Sequence, residues 1–298
     1  MSHHPLYLEL LQGLQGHFQP QDDKPEETPE SVLRALWFHA AGASMSITRI
    51  NGSPLPPIDA GAADTLKALV ARKREGVPLA HITGRQDFMG LELLAGPEAL
   101  IPRRETEILG HAAVAFLRNA SSSNNLLVID VCTGSGNLAL ACAHHEPRAR
   151  VFAGDLSHKA VELAQRNAAF TGLEERVEFS SGDLFGPFEG SELLGACDLV
   201  SCNPPYISST KVPKMPAEIS GHEPWLAFDG GAIGLSVLNR LFADAPRFLK
   251  SGGALCFELG LGQGPALEGR LRRLPWVAQV HAHRDSAGAV RALMAVRR

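Results

Sequence analysis

The stretch LLVIDVCTGSG, residues 126–136, decides the fold of this chain. Its opening run, LLVIDV, is short and apolar, which predicts a buried strand that carries Asp130 near its end. Gly134 and Gly136 follow, and glycines let a backbone turn tightly and approach a bound nucleoside without a Cβ in the way. A helix is expected directly after the loop. Alone, this is a weak signal, because dinucleotide and phosphate sites share it.

Downstream of this loop, apolar runs alternate with helical segments. Further strands are predicted in RVFAGD, RVEFSSGD, CDLVSC and GGALCFELG, which begin at residues 150, 176, 197 and 252. Strands that alternate with helices indicate a parallel α/β sheet, and such sheets bind ligands at the carboxyl ends of their strands. The last two runs, at 276–284 and 289–298, are expected to close one edge of the sheet as an antiparallel pair.

Acidic residues fall at the carboxyl ends of three successive predicted strands: Asp130, Asp155 and Asp183. A carboxylate after the second strand can accept hydrogen bonds from ribose hydroxyls, and Leu184 beside Asp183 stands where an adenine edge would lie. Any one of these acids could be a helix cap or a solvated loop residue, but three at successive strand ends are hard to attribute to caps. The pattern predicts a nucleoside cofactor, and a nicotinamide enzyme would share the first two acids.

The segment Asn203-Pro204-Pro205-Tyr206 follows the fourth predicted strand. The side-chain oxygen of Asn203 and the carbonyl of Pro204 can accept both N–H bonds of a planar NH2 group, which aligns its nitrogen with an electrophilic methyl. The prolines stiffen the segment, and Tyr206 offers a ring against the planar group. No strong base is needed, because the alkylated nitrogen is acidic. The segment predicts methyl transfer to an sp² nitrogen, and a turn with two prolines is the alternative.

The chain before this sheet is expected to be helical and then to form a hairpin. Residues 78–102 predict a turn and a β-hairpin, and a polar break is expected at 121–125. Thr28 stands before a proline and an acid, as a helix cap does. Spacing, caps and breakers predict helices over 5–17, 31–41, 62–75 and 105–118.

The composition is that of an ordinary globular protein, with 298 residues, 45% hydrophobic and 20% charged. The balance of 28 basic against 32 acidic residues, a formal charge of -4, argues against a partner bound mainly through phosphates. The five cysteines form no CxxC pair and no zinc spacing, so reduced thiols and a metal-free site are expected. The sequence shows neither a signal-peptide pattern nor a run of transmembrane length, which predicts a cytoplasmic protein.

Together these motifs resemble the HemK/PrmC family of protein-(glutamine-N5) methyltransferases. The similar segments run in order along nearly the whole chain: PLAHITGRQDFMG, IPRRETE, TGSGNLALA, GDLS, NPPYI, and HEP followed by FDGGAIGL. The resemblance implies a class I, Rossmann-like α/β methyltransferase domain with a seven-stranded sheet over 103–298. It also implies a small helical substrate-docking domain over 1–77 and a hairpin linker over 78–102.

Site residues follow from the motifs and from the positions that match the family. The methyl donor S-adenosyl-L-methionine is expected on Asp130, Cys132, Thr133, Gly134, Ser135, Gly136, Asp155, Asp183, Leu184 and Asn203. The acceptor amide is expected on Asn203, Pro204, Pro205 and Tyr206, which are the predicted catalytic residues. The resemblance places Arg103 near the entrance to the site, and an ordinary hinge ion pair is the alternative for this residue.

The resemblance implies methylation of a glutamine side chain in a protein, first of all the GGQ glutamine of a peptide chain release factor. The product would be S-adenosyl-L-homocysteine, and a monomer that binds neither membrane nor a specific nucleic acid is expected. Cys132 stands where the family usually has glycine, and Arg104 where it usually has proline. Cysteine also occurs at the first position in a sister branch that methylates a ribosomal protein of the large subunit, so Cys132 leaves the protein substrate open.

Other functions fit parts of the same pattern. An adenine-N6 or guanine-N2 methyltransferase could use Asn203-Pro204-Pro205-Tyr206 on a flipped-out base, but the chain has no basic, aromatic-bearing insertion to recognise a duplex. A non-catalytic adaptor would not need an amide-binding segment. A relative that methylates a small amide-bearing metabolite is compatible with the sequence.

Overall fold

A computed structural model describes residues 5–20, 23–120, 125–215, 218, 221–232 and 234–298. The polar break expected at 121–125 lies mostly outside these residues. The described chain forms a helical N-terminal part, a two-stranded hairpin and a seven-stranded α/β sheet.

The N-terminal part packs its helices around α2, whose Leu33 and Leu36 are fully buried. Thr28 begins α2 as predicted, because its hydroxyl accepts a hydrogen bond from the Ser31 N–H at 3.1 Å. Two short helices, α3 and α5, were not predicted, since four or five residues are too few to show a helical period. The helices of this part are α1 (Pro5–Gln15), α2 (Pro29–Ala40), α3 (Ile47–Ile50), α4 (Ala60–Arg74) and α5 (Leu79–Thr83).

The hairpin follows α5 directly, with β1 (Arg85–Phe88) antiparallel to β2 (Leu91–Leu94). Its last residue is tied to the large domain, because the Leu94 N–H donates to Oδ1 of Asn167 at 2.6 Å and the Leu94 carbonyl accepts from Nδ2 at 3.2 Å. The predicted hairpin is therefore present, and a helical turn replaces the simple turn expected before it.

The sheet has the strand order β5-β4-β3-β6-β7-β9-β8. Strands β3 to β7 are mutually parallel, and β9 runs antiparallel to both β7 and β8, which confirms the predicted edge pair. The strands are β3 (Leu126–Val131), β4 (Ala149–Asp155), β5 (Val177–Ser181), β6 (Cys197–Cys202), β7 (Leu249–Glu258), β8 (Val277–Arg284) and β9 (Val290–Arg297).

Helices cover both faces of the sheet and bury two apolar clusters. One cluster joins α6, α7 and the hairpin to the sheet, and the other joins α9 and α10 to the opposite face. The strand order reverses between β3 and β6, and in parallel sheets ligands bind at such a switch point, beyond the carboxyl ends of the strands. The helices of this part are α6 (Thr106–Arg118), α7 (Asn137–His145), α8 (His158–Thr171), α9 (Ser236–Phe248) and α10 (Gly264–Leu271).

Candidate active site

The glycine loop between β3 and α7 holds a backbone conformation that few residue types adopt. Gly134 and Gly136 have φ of +55° and +82°, and Cys132 has φ of +58°. Within the described ranges, nothing outside the loop itself lies within 4 Å of the place that a Cβ would take at Gly134. The loop backbone is therefore open to a ligand at the carboxyl edge of the sheet.

Asp155 ends β4 beside this loop. Its Oδ2 accepts a hydrogen bond from the Gly134 N–H and its Oδ1 accepts one from the Ser157 N–H, both at 2.9 Å. Burial raises the pKa of Asp155, and these N–H groups oppose the rise. The carboxylate keeps lone pairs for further donors, and the neighbouring Leu156 side chain is 57% exposed in the same cavity. A hydrogen-bond acceptor beside an apolar side chain fits the hydroxyls and the flat base of a nucleoside.

Asp130 and Gly136 lie beneath the loop, and the structure does not bring them to the cavity wall. Asp130 is fully buried, where Oδ2 accepts from the Thr133 hydroxyl at 2.6 Å and Oδ1 from the Ser201 hydroxyl at 2.7 Å. Burial raises its pKa to about 6. A Cβ at Gly136 would lie 3.1 Å from the Cβ of Ala164, so glycine allows α8 to pack closely here. Both residues support the loop from below.

Asp183 and Leu184 follow β5 and lie in the cavity wall. The Asp183 carboxylate pairs with Arg240 of α9 at 2.8 Å, and both side chains are about half exposed. No sequence pattern predicted this ion pair, since the two residues come from different elements. The predicted cofactor residues that line this cavity are Cys132, Thr133, Gly134, Ser135, Asp155, Asp183, Leu184 and Asn203.

A second cavity opens on the other side of Asn203. Pro204 and Tyr206 line it, whereas Pro205 lines the first cavity. Four residues line both cavities and therefore mark their junction: Leu100, Arg103, Asn203 and Ala227. We call the first the donor cavity and the second the acceptor cavity, after the methyl donor and the methyl-accepting amide that the sequence predicts.

The side chain of Asn203 is held by the first residue of α6. Its Nδ2 donates to the Thr106 hydroxyl at 3.3 Å, which leaves Oδ1 of the amide as an acceptor. Tyr206 is held from the other side, because its hydroxyl donates to Oε1 of Glu258 at 3.0 Å. Burial and the Glu258 carboxylate raise the pKa of Tyr206 well above its ordinary value. Tyr206 is therefore a neutral hydrogen-bond donor at neutral pH.

Arg103 lies at the junction and is 8% exposed. Its guanidinium forms an ion pair with Glu223 and lies 3.7 Å from Asp23, a residue of the loop between α1 and α2. Asp23 itself lines the acceptor cavity, so the helical part of the chain contributes to the wall of the site. Arg103 thus lies at both cavities and is ion-paired, and its role toward a substrate stays a prediction.

Comparisons with known proteins agree on the kind of enzyme. The methyltransferase small domain family model matches residues 108–218. A release factor glutamine methyltransferase of Moorella thermoacetica is 38% identical over 229 residues, 77% of this chain and 78% of the relative. Another, of Deinococcus radiodurans, is 37% identical over 255 residues, 85% of this chain and 86% of the relative. The chain belongs to the release factor glutamine methyltransferase family.

Solved structures agree on the fold of this methyltransferase. The human METTL16 catalytic domain in complex with MAT2A 3'UTR hairpin 6 superposes with a TM-score of 0.55 at 17% identity, covering 76% of this chain and 81% of that one. The N-terminal domain of human METTL16 in complex with SAH gives a TM-score of 0.51 at 18% identity, covering 74% and 81%. These two structures show a Rossmann-like fold for this chain. Its family membership shows that the chain is an S-adenosylmethionine-dependent methyltransferase.

Four residues that lie beside the junction were not predicted from the sequence as site residues: Asp23, Thr106, Glu223 and Glu258. One signal for Glu258 was available, because it is an acid at the end of a strand, as Asp155 is. Arg104, the second departure from the family pattern, is 63% exposed and lies 3.9 Å from Glu26.

In the described part of the chain, no group of three or more His, Cys, Asp or Glu side chains could hold a metal ion, and the metal-free site stays a prediction. No helix in this part combines the length and the apolar character needed to cross a bilayer.

Proposed function

We propose that this enzyme methylates the side-chain amide nitrogen of a glutamine in a peptide chain release factor, the glutamine of its GGQ motif. The observation that carries the proposal is the meeting of two cavities at Asn203. One has the acid and glycine loop that suit a nucleoside, and the other is lined by Asn203, Pro204 and Tyr206. A methyl donor and a planar amide can thus approach each other at one residue. The family membership supports the same substrate.

On the donor side, Asp155 and Leu156 are proposed to hold the ribose and adenine of S-adenosylmethionine, with the loop from Cys132 to Ser135 along the rest of the molecule. Asp183 and Leu184 complete this wall. The bound donor supplies a methyl group on a positively charged sulfur, which any correctly placed lone pair can accept. The task of the chain is therefore to align the acceptor nitrogen and to keep water out.

On the acceptor side, Oδ1 of Asn203 and the carbonyl of Pro204 are proposed to accept the two N–H bonds of the glutamine amide. These bonds become stronger as the nitrogen gains positive charge, so they stabilise the transition state more than the bound substrate. A carboxylate would set oxygen against oxygen in the same place and is rejected. Tyr206 is proposed to pack against the amide plane. Methyl transfer leaves a positively charged nitrogen, and this nitrogen loses one of its two acidic protons without a strong base to give the neutral N-methyl amide.

We further propose the division of the chain into a helical docking domain (1–77), a hairpin linker (78–102) and the methyltransferase domain (103–298). Leu79 and Ile82 of α5 pack into the helical core, so the linker begins with a residue run that belongs structurally to the helices. The position of Asp23 in the acceptor cavity supports a role for the helical domain in binding a protein substrate. A monomer acting in the cytoplasm, where release factors work, is part of the same proposal.

The test is methyl transfer from labelled S-adenosylmethionine to a panel of purified acceptors. A release factor, a large-subunit ribosomal protein, transfer RNA and free glutamine would be incubated with the enzyme under identical conditions. We expect label in the release factor alone, at the GGQ glutamine. Label in the ribosomal protein, in RNA or in the free amino acid, with none in the release factor, would overturn the proposal.

A further inference from the structure

The end of β7 places a buried carboxyl in the acceptor cavity. The proposed reaction gives no role to an ionised side chain there. Glu258 is 2% exposed, lines this cavity and accepts the Tyr206 hydroxyl on Oε1 at 3.0 Å. The neighbouring Thr106 hydroxyl opposes the rise in the pKa of this carboxyl, as a nearby hydrogen-bond donor does. Among the described residues, Oε2 has no hydrogen-bond partner. Burial of an acid with an unpaired oxygen costs free energy of folding, so we expect Glu258 to have a role in the site.

Thr106 connects this carboxyl to the amide of Asn203. An ionised carboxylate only accepts hydrogen bonds, so a hydrogen bond between Glu258 and Thr106 uses the single proton of the hydroxyl. The hydroxyl oxygen can then only accept from its other neighbour, which is Nδ2 of Asn203 at 3.3 Å. The amide of Asn203 is thereby fixed with Nδ2 toward Thr106 and with Oδ1 toward the acceptor.

A protonated Glu258 removes this constraint. The acid can donate its own proton to Thr106, and the threonine hydroxyl is then free to donate to Oδ1 of Asn203. The amide would turn over, and its NH2 group would face the N–H bonds of the substrate amide. Two donors in opposition cannot hold the nitrogen in line with a methyl group.

We propose that Glu258 is a positioning residue whose ionised carboxylate, acting through Thr106, sets the Asn203 amide in the orientation that accepts a glutamine NH2 group. The inference rests on the proposed function, since it assigns a cause to the acceptor geometry used there. Tyr206 is held by the same carboxylate, so one buried charge aligns both sides of the acceptor segment.

Charged groups on the neighbouring elements set when Glu258 ionises. Burial raises its pKa to about 7, the Thr106 and Tyr206 hydroxyls oppose the rise, Glu105 at the start of α6 adds to it and Arg291 of β9 opposes it. Glu105 and Arg291 pair with each other at 3.1 Å. Arg103 and Asp23 also line this cavity, and they pair at 3.7 Å. The orientation of Asn203 is therefore expected to change near neutral pH, with the productive state on the alkaline side.

The first experiment removes the connecting hydroxyl and keeps its shape. Thr106→Val replaces a buried threonine by an isostere, and Thr106→Ser restores the hydroxyl. For methylation of full-length release factor, we expect the valine variant to lose on the order of 10²-fold in kcat and the serine variant to recover most of it. Thr106 lines the donor cavity, and because valine keeps its shape, calorimetry with S-adenosylmethionine should give nearly the same affinity for the wild type and the valine variant.

The second experiment is the pH profile of kcat from about pH 6 to about pH 9. The wild type should lose turnover as the pH falls through the pKa of Glu258. Glu258→Gln offers an NH2 group to Thr106, as the protonated acid offers its proton, so kcat should be low and should lose this acidic limb. Glu105→Gln is the matched control, since it removes a neighbouring carboxylate and frees Arg291. The acidic limb of the Glu105→Gln profile should persist and move to lower pH, because the pKa of Glu258 falls in this variant.

The outcomes separate the inference from the proposed function. Failure of the wild type to methylate any release factor glutamine would overturn the function. Methylation by the wild type together with an unimpaired Thr106→Val variant would overturn the inference alone. So would a Glu258→Gln variant that keeps the wild-type acidic limb. Thermal unfolding of each variant shows whether it is folded. If Thr106→Val is unfolded, the pH profiles of kcat for Glu105→Gln and Glu258→Gln test the inference in its place.

Discussion

The donor and acceptor cavities meet at one residue but are held together in different ways. In the donor half, Thr133 bonds to Asp130 three positions away, and Ser157 bonds to Asp155 two positions away. In the acceptor half, Asn203 bonds to Thr106 across 97 positions and Tyr206 to Glu258 across 52. The donor half thus combines local turns with longer contacts, such as Ser201 to Asp130 across 71 positions and Gly134 to Asp155 across 21. The acceptor half depends on how α6 and β7 pack against the segment after β6.

This difference means that substitutions in the two halves should have separable effects. A change in the local donor turns should alter cofactor affinity, and a change in the long-range acceptor contacts should alter turnover. Binding of S-adenosylmethionine by calorimetry and kcat with a protein substrate measure the two independently. A variant that changes both equally would show that the halves are coupled more tightly than their hydrogen bonds indicate.

The largest effect is expected from Asn203→Ala. The variant removes one of the two acceptors proposed for the glutamine amide and leaves the glycine loop untouched. Turnover should fall on the order of 10²-fold or more, with little change in cofactor affinity. Single-turnover kinetics measure the loss, and near-normal methylation by a folded variant would contradict the assignment of Asn203.

The next effect is expected from Asp155→Asn, which acts on the other half. In the wild type, the Asp155 carboxylate accepts from two backbone N–H groups, and the NH2 group of asparagine would face one of them. The variant also loses charge-assisted hydrogen bonds, which contribute roughly 1.5–3 kcal/mol each. Affinity for S-adenosylmethionine should fall roughly 10- to 100-fold.

Asp183→Asn is the matched control for this prediction. Asp183 lines the same cavity, but it is about half exposed and pairs with Arg240 at the surface, where an ion pair contributes little. Equal losses for the two variants, measured by calorimetry, would show that Asp155 has no special role toward the ribose.

A smaller effect is expected near the junction of the two cavities. Trp225 is 50% exposed and precedes Leu226, which lines the donor cavity, and Ala227, which lines both. Trp225→Ala should raise KM for a folded release factor about tenfold, as loss of an aromatic interface contact does, and leave cofactor affinity unchanged. Leu194→Ala is the control, because Leu194 is 43% exposed near the opposite, amino end of β6. Similar KM values for both variants would show that Trp225 does not contribute to binding of the release factor.

The smallest effect is expected from Cys132→Gly, which restores the residue usual in the family. Cys132 has φ of +58°, a conformation that costs most residues energy and suits glycine. The relief is offset by the greater freedom of glycine in the unfolded chain, so stability should change by only about 0 to 1 kcal/mol. Cofactor affinity should stay within about threefold, since loop amides make the contact. A large loss of affinity would show that the thiol itself binds the cofactor.

Much of the fold could be predicted from the sequence, because its signals are local. The strand, acid and glycine loop at 126–136 and the alternation after it indicated the sheet, and the final two runs indicated its antiparallel edge. Thr28 marked a helix start as expected. The two short helices were missed, because their length hides any periodicity.

The donor cavity was anticipated in outline, and the acceptor cavity only in its central segment. Asn203 and Tyr206 could be picked out as a motif, but Thr106, Glu223 and Glu258 reach the site only through tertiary packing. Asp130 shows the converse, since a strand-end acid that resembled a ligand group lies buried under the loop. Position along a motif identified candidate residues, and the packing decided which of them line a cavity.

One comparison of two substrates tests the proposed acceptor geometry most directly. A release factor and its variant with glutamate in place of the GGQ glutamine would be incubated with the wild-type enzyme and S-adenosylmethionine, and fragmentation mass spectrometry would locate any methyl group. We predict one methyl group on the side-chain nitrogen of the glutamine and none on the glutamate, whose oxygens would face Oδ1 of Asn203 and the Pro204 carbonyl. A methylated glutamate, or an unmodified glutamine beside an active, cofactor-bound enzyme, would contradict it.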